Sequence, residues 1–155
     1  MKLELKNIKH SEWASEETHC YQASLYVDGK PVAIVSNDGQ GGSDRDYPHP
    51  KFKGDYRAQM RDVSRYFSGL RRTAVTEWFP EGMEQCLEYW CAEQIDDWLS
   101  ARDLKKHLKK SYVYHFADGA GMFAHKLRPA STVAVVLNDL PFDEALSIWK
   151  ETANA

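Results

Sequence analysis

Residues 18–46, THCYQASLYVDGKPVAIVSNDGQGGSDRD, decide how the fold begins. Two alternating segments flank the dipeptide Asp28-Gly29, which is typical of two-residue hairpin turns because both turn positions need positive φ angles. The loop that follows, residues 36–44, gathers glycines and carboxylates without apolar residues. We therefore predict an antiparallel hairpin that carries an exposed polar loop, and loops of this kind often hold binding residues.

The hairpin has one face that is mostly apolar on both strands. A two-residue turn at Asp28-Gly29 fixes the register, because residues at equal distance from the turn lie opposite each other. The predicted pairs on this face are Leu25 with Val32, Ala23 with Ile34 and Tyr21 with Ser36. The other face mixes polar and apolar side chains, so the sequence leaves open whether it is solvent-exposed or covered.

Elements outside the hairpin follow from hydrophobic spacing. We expect a strand at residues 2–10 and a helix with Tyr56, Met60, Val63 and Phe67 on its buried face. A second helix begins near Pro80, and a capping pattern at Ser100 predicts a break before a short helix at 101–110. Strands at 111–116 and 132–137 and a helix from Pro141 complete the chain, with 132–137 central in the sheet because it is apolar throughout.

This order of elements predicts an α+β fold, namely a mainly antiparallel sheet of about five strands with helices packed on one face. The length of 155 residues fits a single globular domain at 1–155. No apolar run has the length of a membrane span or a signal-peptide core, which favours a soluble cytoplasmic protein. Three cysteines without C-x-x-C spacing favour reduced thiols.

Charge is distributed in blocks although the formal net charge is only −3. Residues 51–72 are strongly basic, and Arg57, Arg61 and Arg65 share one helix face because they are spaced by four. Such a row suits a nucleic-acid backbone or an acidic protein. The favoured alternative is pairing of the row, within the fold or between subunits, with the acidic residues Glu77, Glu81, Glu84 and Glu88.

The glycine-rich loop allows two ligand hypotheses. Gly39, Gly41 and Gly42 would let consecutive backbone N–H groups converge on an anion, although an ordinary loop at the end of a hairpin explains the same residues and is favoured. A divalent cation would use the set Asp38, Asp44, Asp46 and His49, whose side chains are of the type found in metal-dependent phosphodiesterases.

No catalytic set is evident in the sequence. Neither a G-x-S-x-G nor an H-E-x-x-H pattern is present, and His19 and Cys20 are neighbours on a strand, so they point to opposite faces. We assign no catalytic residue and predict no cofactor, and the sequence leans away from an enzyme.

The segments Leu25-Tyr26-Val27-Asp28-Gly29-Lys30 and Ser36-Asn37-Asp38-Gly39-Gln40-Gly41-Gly42 resemble the N-terminal part of small uncharacterised proteins encoded by phages and other mobile elements. The two quoted segments comprise 13 of the 155 residues. It implies a context of small accessory proteins that bind host or phage macromolecules, and it transfers no catalytic residue.

The sequence therefore favours a non-enzymatic interaction protein with a macromolecular partner, a protein more than a nucleic acid, and allows a homo-oligomer. The predicted partner-binding residues are Asn37, Asp38, Gly39, Gly41, Gly42, Arg57, Arg61 and Arg65. Two functions compete with this one. The first is a metal-dependent phosphate-handling hydrolase or nucleotide-binding enzyme at the loop, and the second is a nucleic-acid-binding protein that uses the arginine row.

Overall fold

The computed structural model describes residues 1–73, 80–116, 121–130 and 134–153. Within these residues the fold is α+β, with three α-helices, a four-stranded antiparallel sheet and a three-stranded antiparallel sheet. The chain divides into two compact units, Met1–Ile95 and Asp96–Ala155. Because the boundary lies inside one continuous helix, the division leaves the single domain at 1–155 as a prediction. No helix in the described ranges is both long enough and apolar enough to cross a membrane.

The first unit contains the predicted hairpin within a four-stranded sheet in chain order. Its strands are β1 (Leu3–His10), β2 (Cys20–Val27), β3 (Lys30–Asp38) and β4 (Arg45–Pro48), and a short 3₁₀ helix, Glu12–Ala14, lies between β1 and β2. Helix α1 (Tyr56–Ser68) follows, with Asp55 as its N-cap, since the Asp55 carboxylate accepts the Ala58 N–H at 2.9 Å. The first helix is therefore confirmed where its apolar spacing predicted it.

The register of the hairpin differs from the prediction by one residue beyond Leu25. The turn is as expected, with Val27 opposite Lys30, but a bulge shifts the pairing so that Leu25 lies opposite Ala33. Further along, Ala23 pairs with Val35 and Tyr21 with Asn37. A bulge inserts one extra residue on one strand and turns the following side chains to the other face. The shift therefore buries Asn37 instead of Ser36 beside Tyr21.

The core of the first unit lies against the hairpin face that carries Ala23 and Leu25, both of which are buried. Val63 and Phe67 of α1 are buried as well, and the Phe67 ring lies 6.3 Å from the Trp90 ring. These positions were predicted from the spacing of apolar residues along the helix. Burial of side chains this large contributes roughly 1.5–3 kcal/mol each to folding.

Helix α2 (Leu87–Leu108) corrects two predictions. It begins at Leu87 and not near Pro80, and residues 82–86 before it are not helical. It also continues through Ser100, where we predicted a break. Between Leu87 and Leu108 there is no proline or glycine, and the buried residues Cys91 and Ile95 before Ser100 and Leu104 after it give both halves of the helix a core contact. Burial of an apolar face outweighs a local capping signal.

The second unit consists of the rest of α2, a sheet and a last helix. Its strands are β5 (Tyr112–Phe116), β6 (Met122–His125) and β7 (Ala134–Val136), in the order β6-β5-β7, and a 3₁₀ helix, Leu137–Asp139, precedes α3 (Phe142–Ala153). A buried cluster of Leu104, Val113, Leu137 and Ala145 joins α2, the sheet and α3. The last helix is confirmed where it was predicted.

The prediction of one sheet of about five strands is wrong, because the described strands form two sheets. Strand β5 pairs with the strands that follow it, β6 and β7, since neighbours in sequence pair at the smallest cost in loop entropy. The segment 132–137 was expected at the centre of the sheet. Ala134–Val136 of this segment form β7, which lies at an edge of the described sheet, and β5 is central. Leu137 begins the 3₁₀ helix, and Thr132 and Val133 lie outside the described residues.

Candidate interaction site

The side chain of Asn37 organises the glycine-rich loop. Its Oδ1 accepts hydrogen bonds from Thr18 Oγ1 and from the Gly39 N–H, both at 2.8 Å. Its Nδ2 donates to the Gly42 carbonyl at 2.7 Å and to the Asp44 carboxylate at 3.0 Å. Only 8% of Asn37 is exposed, so these four bonds satisfy a buried amide and fix the loop to the sheet.

Gly39 is required at its position by space and by backbone conformation. Its φ angle is +86°, and a Cβ there would lie 2.0 Å from the Ala14 carbonyl oxygen. The Gly39 carbonyl also accepts the backbone N–H groups of Glu16 and Glu17, each at 3.0 Å. The loop is therefore packed against residues 14–18, which is an ordered arrangement and not a free flap.

The backbone N–H groups of the loop point inward to side-chain acceptors. The Gly39 N–H donates to Asn37, the Gln40 N–H to the Asp38 carboxylate at 3.4 Å, and the Gly41 N–H to Thr18 Oγ1 at 3.4 Å. An anion nest needs such consecutive groups to be available to a ligand. The geometry therefore does not support the predicted anion nest at Gly39 and Gly41.

The proposed metal ligands lie on two faces of the sheet. Asp38 forms an ion pair with Arg45 at 2.9 Å, whereas Asp44 and Asp46, which flank Arg45, accept hydrogen bonds from Tyr21 and Tyr56. Side chains alternate along a strand, so Arg45 and its two neighbours must diverge. His49 Nδ1 accepts the Lys51 N–H at 3.1 Å. In the described part of the chain, no three His, Cys, Asp or Glu side chains are placed to hold a metal ion.

A cleft of about 490 Å³ lies between the sheet, α1 and the segment before α2. Val35, Val63 and Phe67 contribute its apolar surface. Its polar surface comes from hydroxyl, amide, thiol and carboxylate groups, which are Asp44, Asp46, Ser64, Ser68, Glu84, Gln85, Cys86 and Glu88. No lysine or arginine is among the described lining residues, so the cleft is acidic. The sequence predicted Asp44 and Asp46 as metal ligands and Glu84 and Glu88 as partners of the arginine row, but it did not predict that they line one cleft.

Two buried groups beside the cleft are held in their neutral forms. Burial raises the pKa of the Tyr21 hydroxyl well above its ordinary value, and the nearby Cys91 thiol and Asp44 carboxylate act in the same direction. Burial likewise raises the pKa of the Cys91 thiol to about 12. A thiol that stays protonated at neutral pH is a poor nucleophile, so Cys91 is a core residue.

The arginine row is exposed on α1. Arg57 and Arg61 make no ion pair with any residue that the structure describes, and Arg65 pairs with Asp62 of its own helix at 2.9 Å. Within the described residues, no pairing of the row with Glu81, Glu84 or Glu88 is present, and Glu77 lies outside the described residues. Arg72 pairs with Glu84 instead. The sequence feature that could have indicated this pair is the position of Arg72 at the end of the basic block, nearest in the chain to the acidic residues. Pairing of the row between subunits stays a prediction.

The Arg72 guanidinium binds several groups of the segment that precedes α2. It donates to the Glu81 carbonyl at 2.9 Å and to the Gly82 carbonyl at 2.8 Å, and it pairs with the Glu84 carboxylate at 3.3 Å. Within the described residues, Arg72 therefore makes the contact between the basic block and this acidic segment, and Arg57 and Arg61 of the α1 row are left to solvent.

No family model, curated protein or solved structure matches this chain. The resemblance to phage-encoded proteins therefore remains a prediction from two short segments.

Proposed function

We propose that this protein is a non-enzymatic interaction protein that binds an acidic segment of a partner protein through the arginine row of α1. Arg57, Arg61 and Arg65 form the charged part of the contact. The exposed parts of the glycine-rich loop, namely Asp38, Gly41 and Gly42, form a second contact, while Asn37 and Gly39 hold its shape. The proposal includes a cytoplasmic accessory role of the kind that the phage-protein resemblance implies.

The observation that carries the proposal is the unpaired state of Arg57 and Arg61 within the described residues. An intramolecular role for the row needed carboxylates from the acidic segment, and the described ones do not reach it. Exposed cations on one rigid helix face favour an acidic partner, since complementary charge steers encounter and fixes register.

A protein fits the row better than a nucleic acid does. Because Asp62 neutralises Arg65, the row offers two free cations. Nucleic-acid affinity grows with each phosphate that is neutralised, and two contacts give little at physiological salt. A hydrolase at the loop is not favoured either, because its four candidate ligands lie on two faces and each already has a partner.

The test compares the double variant Arg57→Glu/Arg61→Glu with the wild type. The probe is a fluorescein-labelled peptide of alternating Asp and Glu, and binding is measured by fluorescence anisotropy at low salt. We expect the variant to bind about tenfold more weakly, which corresponds to two exposed ion pairs of roughly 0.7 kcal/mol each.

The matched control is Lys51→Glu/Lys53→Glu, which makes the same change in charge at two exposed lysines outside α1. This control should bind the peptide like the wild type, apart from a small effect of net charge. Equal loss in both variants would show that only overall charge matters and would contradict the proposal. Binding of a DNA duplex that is tighter than that of the peptide and is lost in Arg57→Glu/Arg61→Glu would contradict it too.

A further inference from the structure

We propose that the three-stranded sheet of the second unit binds single-stranded nucleic acid, with bases stacked on an aromatic platform. The aromatic platform consists of Tyr112, Tyr114, Phe116, Phe123 and His125. This proposal uses no residue of the arginine row of α1 and does not depend on the proposed function. The argument starts from which side chains of the sheet face the core.

The register of the sheet places the platform rings on one face. Val113 is fully buried against the helices, together with Leu104 and Ala145. Its neighbours on β5 point to the opposite face, because side chains alternate along a strand. Tyr114 lies directly opposite Phe123, and Tyr112 lies opposite His125, so the rings of β6 join those of β5.

The rings of the platform contact one another. Tyr114 is central, since its ring is stacked on Phe123 with centroids 5.7 Å apart and an interplanar angle of 24°. It also contacts Phe116 at 5.6 Å and His125 at 6.0 Å. The platform residues are neither buried nor fully exposed, apart from His125, which is exposed. Ring pairs across strands hold one another in place, which makes a rigid surface.

Cations gather at one end of this face. Lys109 and Lys110 lie just before β5, and Lys126 and Arg128 follow β6; the two strands are antiparallel, so these ends meet. The three lysines are exposed and have no ion-pair partner in the described ranges. The Arg128 guanidinium lies 6.0 Å from the Tyr112 ring centroid and is neutralised by Asp139.

Single-stranded nucleic acid is the ligand that matches both features. Bases stack on aromatic rings whatever their sequence, and lysines neutralise the phosphates that connect them. A duplex hides its bases, so it would use the lysines but not the rings. An apolar protein segment would use the rings but not the lysines.

The experiment measures the anisotropy of fluorescein-labelled dT15 and U15 with the full chain at 50 and 200 mM NaCl. We expect binding at the lower salt that weakens steeply at the higher salt. The variant Phe123→Leu should weaken binding about tenfold, because one stacking surface is lost. The variant Lys110→Gln/Lys126→Gln should reduce the salt dependence, since two phosphate contacts are lost.

The controls are Tyr47→Leu and Lys51→Gln/Lys53→Gln, which make the same kinds of change in the first unit. Both controls, and Arg57→Glu/Arg61→Glu, should bind the oligonucleotides like the wild type. Thermal melts by circular dichroism show whether Phe123→Leu keeps the fold. Lys110→Gln/Lys126→Gln tests the same site through exposed side chains, so it remains informative if Phe123→Leu unfolds the protein.

Three outcomes would overturn the inference. The first is no binding of either oligonucleotide at 50 mM NaCl, and the second is binding of a duplex as tight as that of the single strand. The third is a homodimer in light scattering that Phe123→Leu dissociates while oligonucleotide binding is absent, which would assign the platform to a second copy of this chain.

Discussion

At the scale of single residues, Asn37 shows how one buried amide can set the shape of a loop. Its donors and acceptors are all used, and they connect the strand β3 with the loop and with Thr18. The sequence predicted that this residue is part of a binding loop. It did not reveal the internal bonds, because the bulge that buries Asn37 cannot be read from alternation alone.

Replacing Asn37 by Ala should lower the free energy of unfolding by about 2–3 kcal/mol, because the Gly39 N–H and the Gly42 carbonyl lose their partners. Urea denaturation of the wild type and the variant measures this loss. The matched control is Gln40→Ala in the same loop, whose side chain is exposed and should be neutral. An unchanged midpoint for Asn37→Ala would show that the loop does not depend on the amide.

Tyr21 should make the fold sensitive to high pH. Its pKa is raised in the folded state by burial, so the folded protein binds the phenolic proton more tightly than the unfolded chain does. Its contribution to stability is therefore complete below the ordinary tyrosine pKa of about 10 and is lost as the pH rises above it.

Above the ordinary tyrosine pKa, the free energy of unfolding should fall by about 1.4 kcal/mol per pH unit because of Tyr21 alone. Denaturation at several pH values between 9 and 11.5 should show a smaller alkaline slope for Tyr21→Phe than for the wild type. Tyr47→Phe, at an exposed tyrosine, is the control and should keep the wild-type slope. Equal slopes for all three proteins would contradict the assignment.

At the scale of elements, the sequence predicted those whose signal is local. The hairpin turn, α1 and the last helix follow from turn chemistry and apolar spacing. The start of α2, its continuity and the short strands β4 and β6 did not follow, because burial and pairing with distant residues decide them. Strand β4 in particular is only four residues long, and all four are exposed, so it has no alternation of buried and exposed side chains.

Substitutions at Ala101 and Ser100 distinguish a continuous helix α2 from two helices with an N-cap at Ser100, because the expected changes in stability differ. Ala101→Pro should cost about 3 kcal/mol, because proline inside a helix removes a hydrogen bond and clashes with the preceding turn. Were Ser100 an N-cap, proline at the next position would be tolerated.

Ser100→Ala completes the comparison. In a continuous helix this change should stabilise by about 0.5 kcal/mol, since alanine has the higher helix propensity, whereas removal of an N-cap would destabilise by about 1 kcal/mol. Thermal denaturation followed by circular dichroism at 222 nm decides between the two. A tolerated Ala101→Pro together with a destabilising Ser100→Ala would restore the break at Ser100.

At the scale of the whole molecule, the charge blocks and the aromatic residues are visible in the sequence, but their roles are not. The basic and acidic blocks were expected to pair through the arginine row, within the fold or between subunits, and within the described residues the ion pair between them is made by Arg72 and Glu84. Which arginine reaches the acidic segment depends on the path of the chain between α1 and α2. The aromatic platform likewise depends on strand register, which spacing does not provide.

The edge strands of the four-stranded sheet, β1 and β4, affect the tendency of the protein to aggregate at high concentration. An open strand edge invites the backbone of another molecule, and this is a common start of aggregation and fibril growth. Strand β1 has an irregular register between Lys6 and Lys9, and β4 is short, charged and ends in Pro48. Both edges therefore discourage further strands, so concentrated samples should resist fibril formation through this sheet.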